Sequence, residues 1–143
     1  MTNRFILFVC SCILSFTATA TFAVADSTSL SQRLNPQVSV SGQMTPEKFK
    51  ALMQLGFKSV IVNRPDHEVG NITSVNELRE IAEQTHVSLI YQPVISGQIT
   101  DKDAEEFAKY YNSLPKPILL ICKSGTRSTV LFNQAKSLGL LHE

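Results

Sequence analysis

The chain lacks most of the features that mark common function classes. Its 143 residues hold only three cysteines and three histidines. His67, His86 and His142 show no metal-ligand spacing, and Cys122 has no second cysteine near it, so no metal site is expected. No glycine-rich dinucleotide or nucleotide loop is present, and no cofactor is expected. Neither sign of charge is in excess, with 13 basic residues against 12 acidic ones. That balance argues against a nucleic-acid partner or a polybasic membrane role. No internal repeat, linker or low-complexity tract follows residue 26.

One long apolar run exists, and it lies at the start. Arg4 precedes a mostly apolar, uncharged stretch from Phe5 to Phe22, and Ala23-Val24-Ala25 fits a small-x-small cleavage pattern before Asp26. Residues 1–25 therefore read as a secretory signal peptide. The rival is an uncleaved membrane anchor, since the run is nearly long enough to span. Its serines and threonines and its Ala-x-Ala end favour cleavage. A lipoprotein signal at Cys10 or Cys12 fits less well, because the apolar run before either is short. The expected location is therefore periplasmic or secreted. Cleavage removes Cys10 and Cys12 and leaves a formally neutral domain with Cys122 alone. A single cysteine in an oxidising compartment is either a partner-linking or a reactive thiol. The remaining length suffices for one hydrophobic core without staples.

Residues 26–37 are polar and read as a flexible lead-in, and residues 38–143 as one catalytic domain. Val38 to Ser41 alternates like a short strand. Thr45 caps a helix with Pro46 at its first position and Phe49, Leu52 and Met53 as its apolar stripe, and Gly56 stops it. Phe57 to Asn63 is a second strand. Ser74 and Glu77 form a capping box, opening a helix through Gln84. Val87 to Val94 is a third strand. Thr100 caps a helix with Ala104, Phe107, Ala108 and Tyr111 on one face. Pro117 to Ile121 is a fourth strand, and Arg127 to Leu138 a final helix ended by Gly139. Strand and helix alternate, which predicts an α/β fold with a mostly parallel central sheet flanked by helices. Ligands of such sheets sit at the carboxyl ends of the strands. The loops after Asn63 and Val94 should wall a pocket at that edge.

Chemistry concentrates in Ile118-Leu119-Leu120-Ile121-Cys122-Lys123-Ser124-Gly125-Thr126-Arg127-Ser128-Thr129. A buried strand runs into a cysteine, a short polar turn with one glycine, an arginine and a helix start. A thiol there faces backbone N–H groups and the positive end of a helix dipole, and both favour the reactive thiolate. Cys122 is the candidate nucleophile. Arg127 supplies a planar fork of donors suited to an oxyanion. Ser124, Gly125 and Thr126 bind an anion through backbone N–H groups, with Gly125 providing a positive φ or a close approach. Ser128 either steadies the thiolate through its hydroxyl or merely caps the helix. Lys123 either raises the pocket potential or is a solvated loop residue. Arg64 is either a second anion contact or a surface charge at a strand end.

Ser41-Gly42-Gln43, Thr45-Pro46-Glu47, Leu55-Gly56-Phe57, Asn63-Arg64-Pro65-Asp66 and the Cys122–Ser128 loop together resemble the phosphatase-like domain family of beta-lactamase hydrolase-like proteins. Members are also labelled sulfur transferases. The resemblance runs from about Val38 to the C-terminus. It implies a fold like that of dual-specificity cysteine phosphatases, with Cys122 as nucleophile and Arg127 as oxyanion binder. Lys123 departs from the arginine often found there, keeping the charge and losing planar recognition.

Two chemistries use a thiolate in such a cradle. A phosphatase forms a cysteinyl phosphate and needs a proton donor for the leaving alkoxide. A rhodanese-type enzyme takes a sulfane sulfur as a persulfide, and leaving groups such as sulfite need no acid. Four residues separate Cys122 from Arg127. Cysteine phosphatases typically have five, and many single-domain rhodaneses have four. Ile121 stands where phosphatases usually carry histidine. Ser96 stands near the position of their aspartate acid, leaving Asp66 or Asp101 as candidate substitutes. These departures favour sulfur transfer with a small anionic substrate, thiosulfate or a persulfide, over a phosphate ester. A third class is a non-catalytic anion- or partner-binding module, against which the intact Cys122 and Arg127 count.

Overall fold

The computed structural model describes residues 30–142, and the expected signal peptide lies outside them. The described chain runs β1 (Gln32–Asn35), β2 (Val38–Ser41), α1 (Pro46–Met53), β3 (Ser59–Val62), α2 (Val75–Gln84), β4 (Ser88–Tyr91), α3 (Asp101–Ser113), β5 (Ile118–Ile121) and α4 (Thr126–Ser137). The five strands form one sheet in the order β1-β2-β5-β3-β4. All neighbours are parallel except the β1–β2 pair at the edge. The expected α/β architecture is therefore the observed one.

Strand β1 occupies part of the stretch read as a flexible lead-in. Its sequence, Gln-Arg-Leu-Asn, has exposed or half-buried side chains and no apolar alternation. Backbone pairing with β2 holds it, with Gln32 opposite Val40. The Ser41 hydroxyl also donates to the Leu30 carbonyl at 2.7 Å. Such an edge strand depends on ladder bonds that leave no mark in hydropathy.

The helices begin where their caps predict. Thr45 accepts the Lys48 N–H with Pro46 in the first turn. Ser74 with Glu77, and Thr100 with Asp103, make reciprocal capping boxes that satisfy otherwise orphaned N–H groups. Helices α1 and α2 pack together on one face of the sheet, and α3 and α4 on the other. Strand β5 serves both cores. Leu119 and Ile121 join Phe49, Leu52 and Leu78, while Ile118 and Leu120 join Phe107, Tyr111 and Leu131. This is the period-2 alternation of a strand buried on both faces.

The register levels the strand ends. Ser41, Ile121, Val62 and Tyr91 lie side by side across the sheet. Every loop that follows them leaves from one edge, and the central strand delivers Cys122 to the middle of it. On the α3–α4 face, Phe107 meets Phe132 edge-on with ring centroids 6.5 Å apart and lies 6.0 Å from Tyr111. Phe107 is fully buried. Phe107→Ala should cost about 3–5 kcal/mol of stability through lost burial and the cavity left behind, read as a lower midpoint in urea unfolding.

Candidate active site

The loop after β5 is fixed against the loop after β2. Cys122 N–H donates to Ser41 O at 3.1 Å, and Gln43 N–H to Lys123 O at 2.8 Å. Gly42 makes this approach feasible, since a Cβ there would lie 3.0 Å from both Lys123 O and Ser124 Cα. Gly125 turns the chain into α4 with φ +90°, the left-handed conformation that glycine adopts without strain. No side chain caps α4. Its first-turn N–H groups are therefore left for an anion, and the helix dipole adds to their pull.

The Cys122 sulfur sits at that terminus, buried, and accepts the Gly125 N–H at 3.0 Å. Burial pushes the thiol up. The backbone N–H and hydroxyl of Ser128, with the N–H groups of Ser124 and Gly125, outweigh that and hold the thiol below its ordinary value. Ser128 is fully buried, and its hydroxyl donates to Asn63 Oδ1 at 2.8 Å. Asn63 is oriented in turn by its own N–H donation to Gln92 O at 3.1 Å. The hydroxyl has one proton and two acceptors, the amide oxygen and the sulfur. Ionisation of the sulfur makes it the stronger acceptor, since charge-assisted hydrogen bonds outcompete neutral ones. Ser128 is thus placed within reach of the thiol, and Asn63 holds its hydroxyl. The sequence reading gave Asn63 no role.

Arg127 is buried, and its Nη1 donates to Val94 O at 3.2 Å. Its Nη2 donates to Glu68 Oε2 at 2.7 Å. Its Nε–H is buried with no partner. Glu68 also holds Arg64, whose Nε donates to Oε1 at 3.0 Å. Arg64 further bonds the Gln43 side chain and the Val69 carbonyl. Arg64 is accordingly buried, which rules out the surface-charge reading. Its Nε, Nη1 and Nη2 each donate inside the protein, so it bears on the larger cavity through Glu68, and it lines with Cys122 only the small void on the other side of the sulfur.

That cavity, of about 300 Å³, is lined by Cys122, Lys123, Ser124, Thr126, Arg127, Ser96 and Glu68. The expected loops after Asn63 and Val94 do wall it, through Glu68 and Ser96. Lys123, Ser124 and Thr126 are exposed at its rim. Of the two candidate acids, Asp66 lies on the other side of the sulfur. Its Oδ1 accepts the Val75 N–H at 2.8 Å at the start of α2, and with Arg64 and Cys122 it lines a small second void of about 10 Å³. Asp101 Oδ1 accepts from Gln134 Nε2 at 2.7 Å and lines neither the cavity nor that void. Glu68 is the carboxylate that lines the larger cavity, and nothing in its loop of mixed composition singled it out.

A thiol held ionisable between a parallel strand and a helix N-terminus, with a buried arginine beside it, defines a cysteine-phosphatase-like protein. The chain matches the family described as beta-lactamase hydrolase-like protein, phosphatase-like domain, over residues 31–139, and it belongs to that family. A beta-lactamase hydrolase-like protein of Xylella fastidiosa is 29% identical over 99 residues, covering 69% of this chain. The match spans only 23% of that relative's length. A solved structure from Neisseria meningitidis, described as a candidate phosphatase, superposes with TM-score 0.65 at 31% identity, covering 70% of this chain and 71% of the other. The catalytic core of a PP-IP phosphatase from S. cerevisiae, solved with citrate, has TM-score 0.55 at 17% identity, covering 76% and 74%. The last likeness is one of fold.

Removing the Ser128 hydroxyl withdraws a donor that favours the thiolate. Ser128→Ala should therefore raise the Cys122 pKa, since a hydrogen bond to the charged form is lost. The pH profile of Cys122 alkylation by iodoacetamide reads this directly. The linkage has a definite sign. A depressed folded pKa contributes stability that is present above the unfolded value, about 8.5, and is lost as pH falls through the folded one. Ser128→Ala should thus destabilise more at about pH 9 than at about pH 5.

Proposed function

We propose that this chain is a cysteine-dependent sulfane-sulfur transferase built on a phosphatase-like fold. The Cys122 thiolate attacks the outer sulfur of a thiosulfate-type donor. The donor's S–S bond breaks, sulfite leaves with the electron pair, and Cys122 carries a persulfide. An acceptor thiolate then attacks the terminal sulfur, and the Cys122 thiolate leaves. Neither step needs a proton from the protein. The backbone N–H groups of the 123–127 loop and the Arg127 guanidinium, which lines the cavity, take the anionic oxygens of the donor.

The observation that carries this reading is the state of Glu68. It is the one carboxylate among the described residues lining the cavity, and both its oxygens accept from guanidinium groups. It is not set to give a proton to a leaving alkoxide. Ser96 is a poor acid, and neither Asp66, which accepts the Val75 N–H, nor Asp101 lines this cavity. Glu68 also takes Arg127 Nη2, the partner of Nε in a two-pronged grip on an oxyanion. What is left suits a small donor with a good leaving group. The short Cys122–Arg127 loop supports the same choice.

A phosphatase is the second reading, favoured by the fold and by the description of the Neisseria protein. It requires Glu68 to leave Arg127 and carry a proton. Export is also part of the proposal, on the strength of the uncharged run from Phe5 to Phe22 and the Ala-Val-Ala site after it.

A paired assay decides between the two chemistries. Thiosulfate with a thiol or cyanide acceptor should be turned over, and an aryl phosphate should not. Intact mass after thiosulfate should show one added sulfur, removable by dithiothreitol and absent in Cys122→Ser. Phosphate turnover alone, lost in Cys122→Ser, would reverse the assignment.

A further inference from the structure

A second hollow adjoins the anion cavity. It measures about 250 Å³ and shares Ser96, Thr126 and Arg127 with the first. Its own walls include Gly97, Ile99 and Val130. Val130 lies on α4 one turn beyond Thr126, about 6 Å further along the axis at 1.5 Å per residue. Val130 keeps 47% of its surface exposed, and Ile99 is half-buried. Apolar side chains thus stand open beside a site whose other lining groups are polar. The far end is closed by Gln134, whose amide is tied to Asp101 at 2.7 Å. A carboxylate at that end disfavours a second negative charge there.

A bare thiosulfate has no use for this shelf. We infer that the Ile99–Val130 hollow is a subsite for an uncharged apolar arm, so that the preferred donor is an organic thiosulfonate with its anionic head on the 123–127 loop and a flat or short apolar group along α4. The inference rests on the sulfur-transfer reading for the reaction and on the two joined cavities for the binding. The arm covers Val130 and Ile99 and displaces water from them, which is the source of the preference. The electron bookkeeping is unchanged: the thiolate takes the outer sulfur and the organic sulfinate leaves with the bonding pair.

Two measurements on the full chain separate binding from chemistry. The first is protection of Cys122 from iodoacetamide by non-reacting anions of equal charge, benzenesulfonate and methanesulfonate. Benzenesulfonate should protect at about tenfold lower concentration, the size expected for burying part of one ring. In Val130→Ser, and separately in Ile99→Ser, that ratio should fall several-fold toward one. The second is the ratio of kcat/KM for benzenethiosulfonate over methanethiosulfonate, expected to follow the protection ratio. Equal protection by the two sulfonates in the wild type would overturn the subsite, whatever is turned over. A ratio that both serine variants leave intact would overturn its location at Ile99 and Val130. Unequal protection without thiosulfonate turnover would uphold the subsite and overturn the sulfur reading beneath it.

Discussion

The structure depends on holding one buried thiol below its ordinary pKa in a place where charge is expensive. Cys122 is buried, and burial alone favours the neutral thiol. The chain offsets this with donors that it could not satisfy elsewhere. A helix whose N-cap is a glycine has no side chain to occupy its first N–H groups. The Ser128 N–H among them, with the Ser124 and Gly125 N–H groups of the loop, bonds the sulfur instead. The loop is held open toward it by backbone pairing with the turn after β2, which in turn requires that residue 42 carry no side chain. Sheet register, a glycine in each loop and an uncapped helix thus converge on one atom.

Charge around the sulfur is arranged with equal economy. Arg64 and Arg127 are both buried, and two unpaired guanidinium groups there would be costly. Glu68 serves both at once, one oxygen to each. This places a protein carboxylate on Arg127 Nη2, while Nε–H is buried without a hydrogen-bond partner among the described residues. In the proposed reaction an incoming anion would therefore meet a partly filled seat, with backbone N–H groups as its main donors. Phosphoryl chemistry asks more of its arginine than that, since it spreads charge over three oxygens. The fold is that of the cysteine phosphatases, but fold and function are separable, and it is the site that decides.

Much of this was legible in the chain because the signals were local. Thr45-Pro46, Ser74 with Glu77, and Thr100 each mark a helix start by a cap that acts within four residues. Ile118 to Ile121 declares a strand buried on both faces, and the glycine and arginine after Cys122 declare the cradle. What escaped was set by partners distant in sequence. Strand β1 is polar and is held by its ladder to β2. Arg64 read equally well as a surface charge until Glu68 and Gln43 enclosed it. Asn63 meets Ser128 across 65 positions, and Glu68 meets Arg127 across 59. Asp66 and Asp101 looked free as acids because their claimants, the Val75 N–H and the Gln134 amide, lie on helices that the sequence does not bring to them.

The same distinction explains why a candidate nucleophile is easier to read from the chain than a reaction. A thiolate needs donors close behind it in the chain, so its signature is compact. Leaving-group chemistry is decided on the far side of the cavity, by loops from other strands that meet the sulfur only in the folded protein. Here those loops bring Ser96 and a carboxylate already committed to two arginines. The cradle can form a covalent bond to sulfur or to phosphorus with the same atoms. What it does not hold ready is a proton for an alkoxide, and a donor whose leaving group departs as a stable anion requires none. That is the ground of the proposed sulfur transfer, and the walls at Ile99 and Val130 extend the same cavity beyond the reach of an inorganic ion.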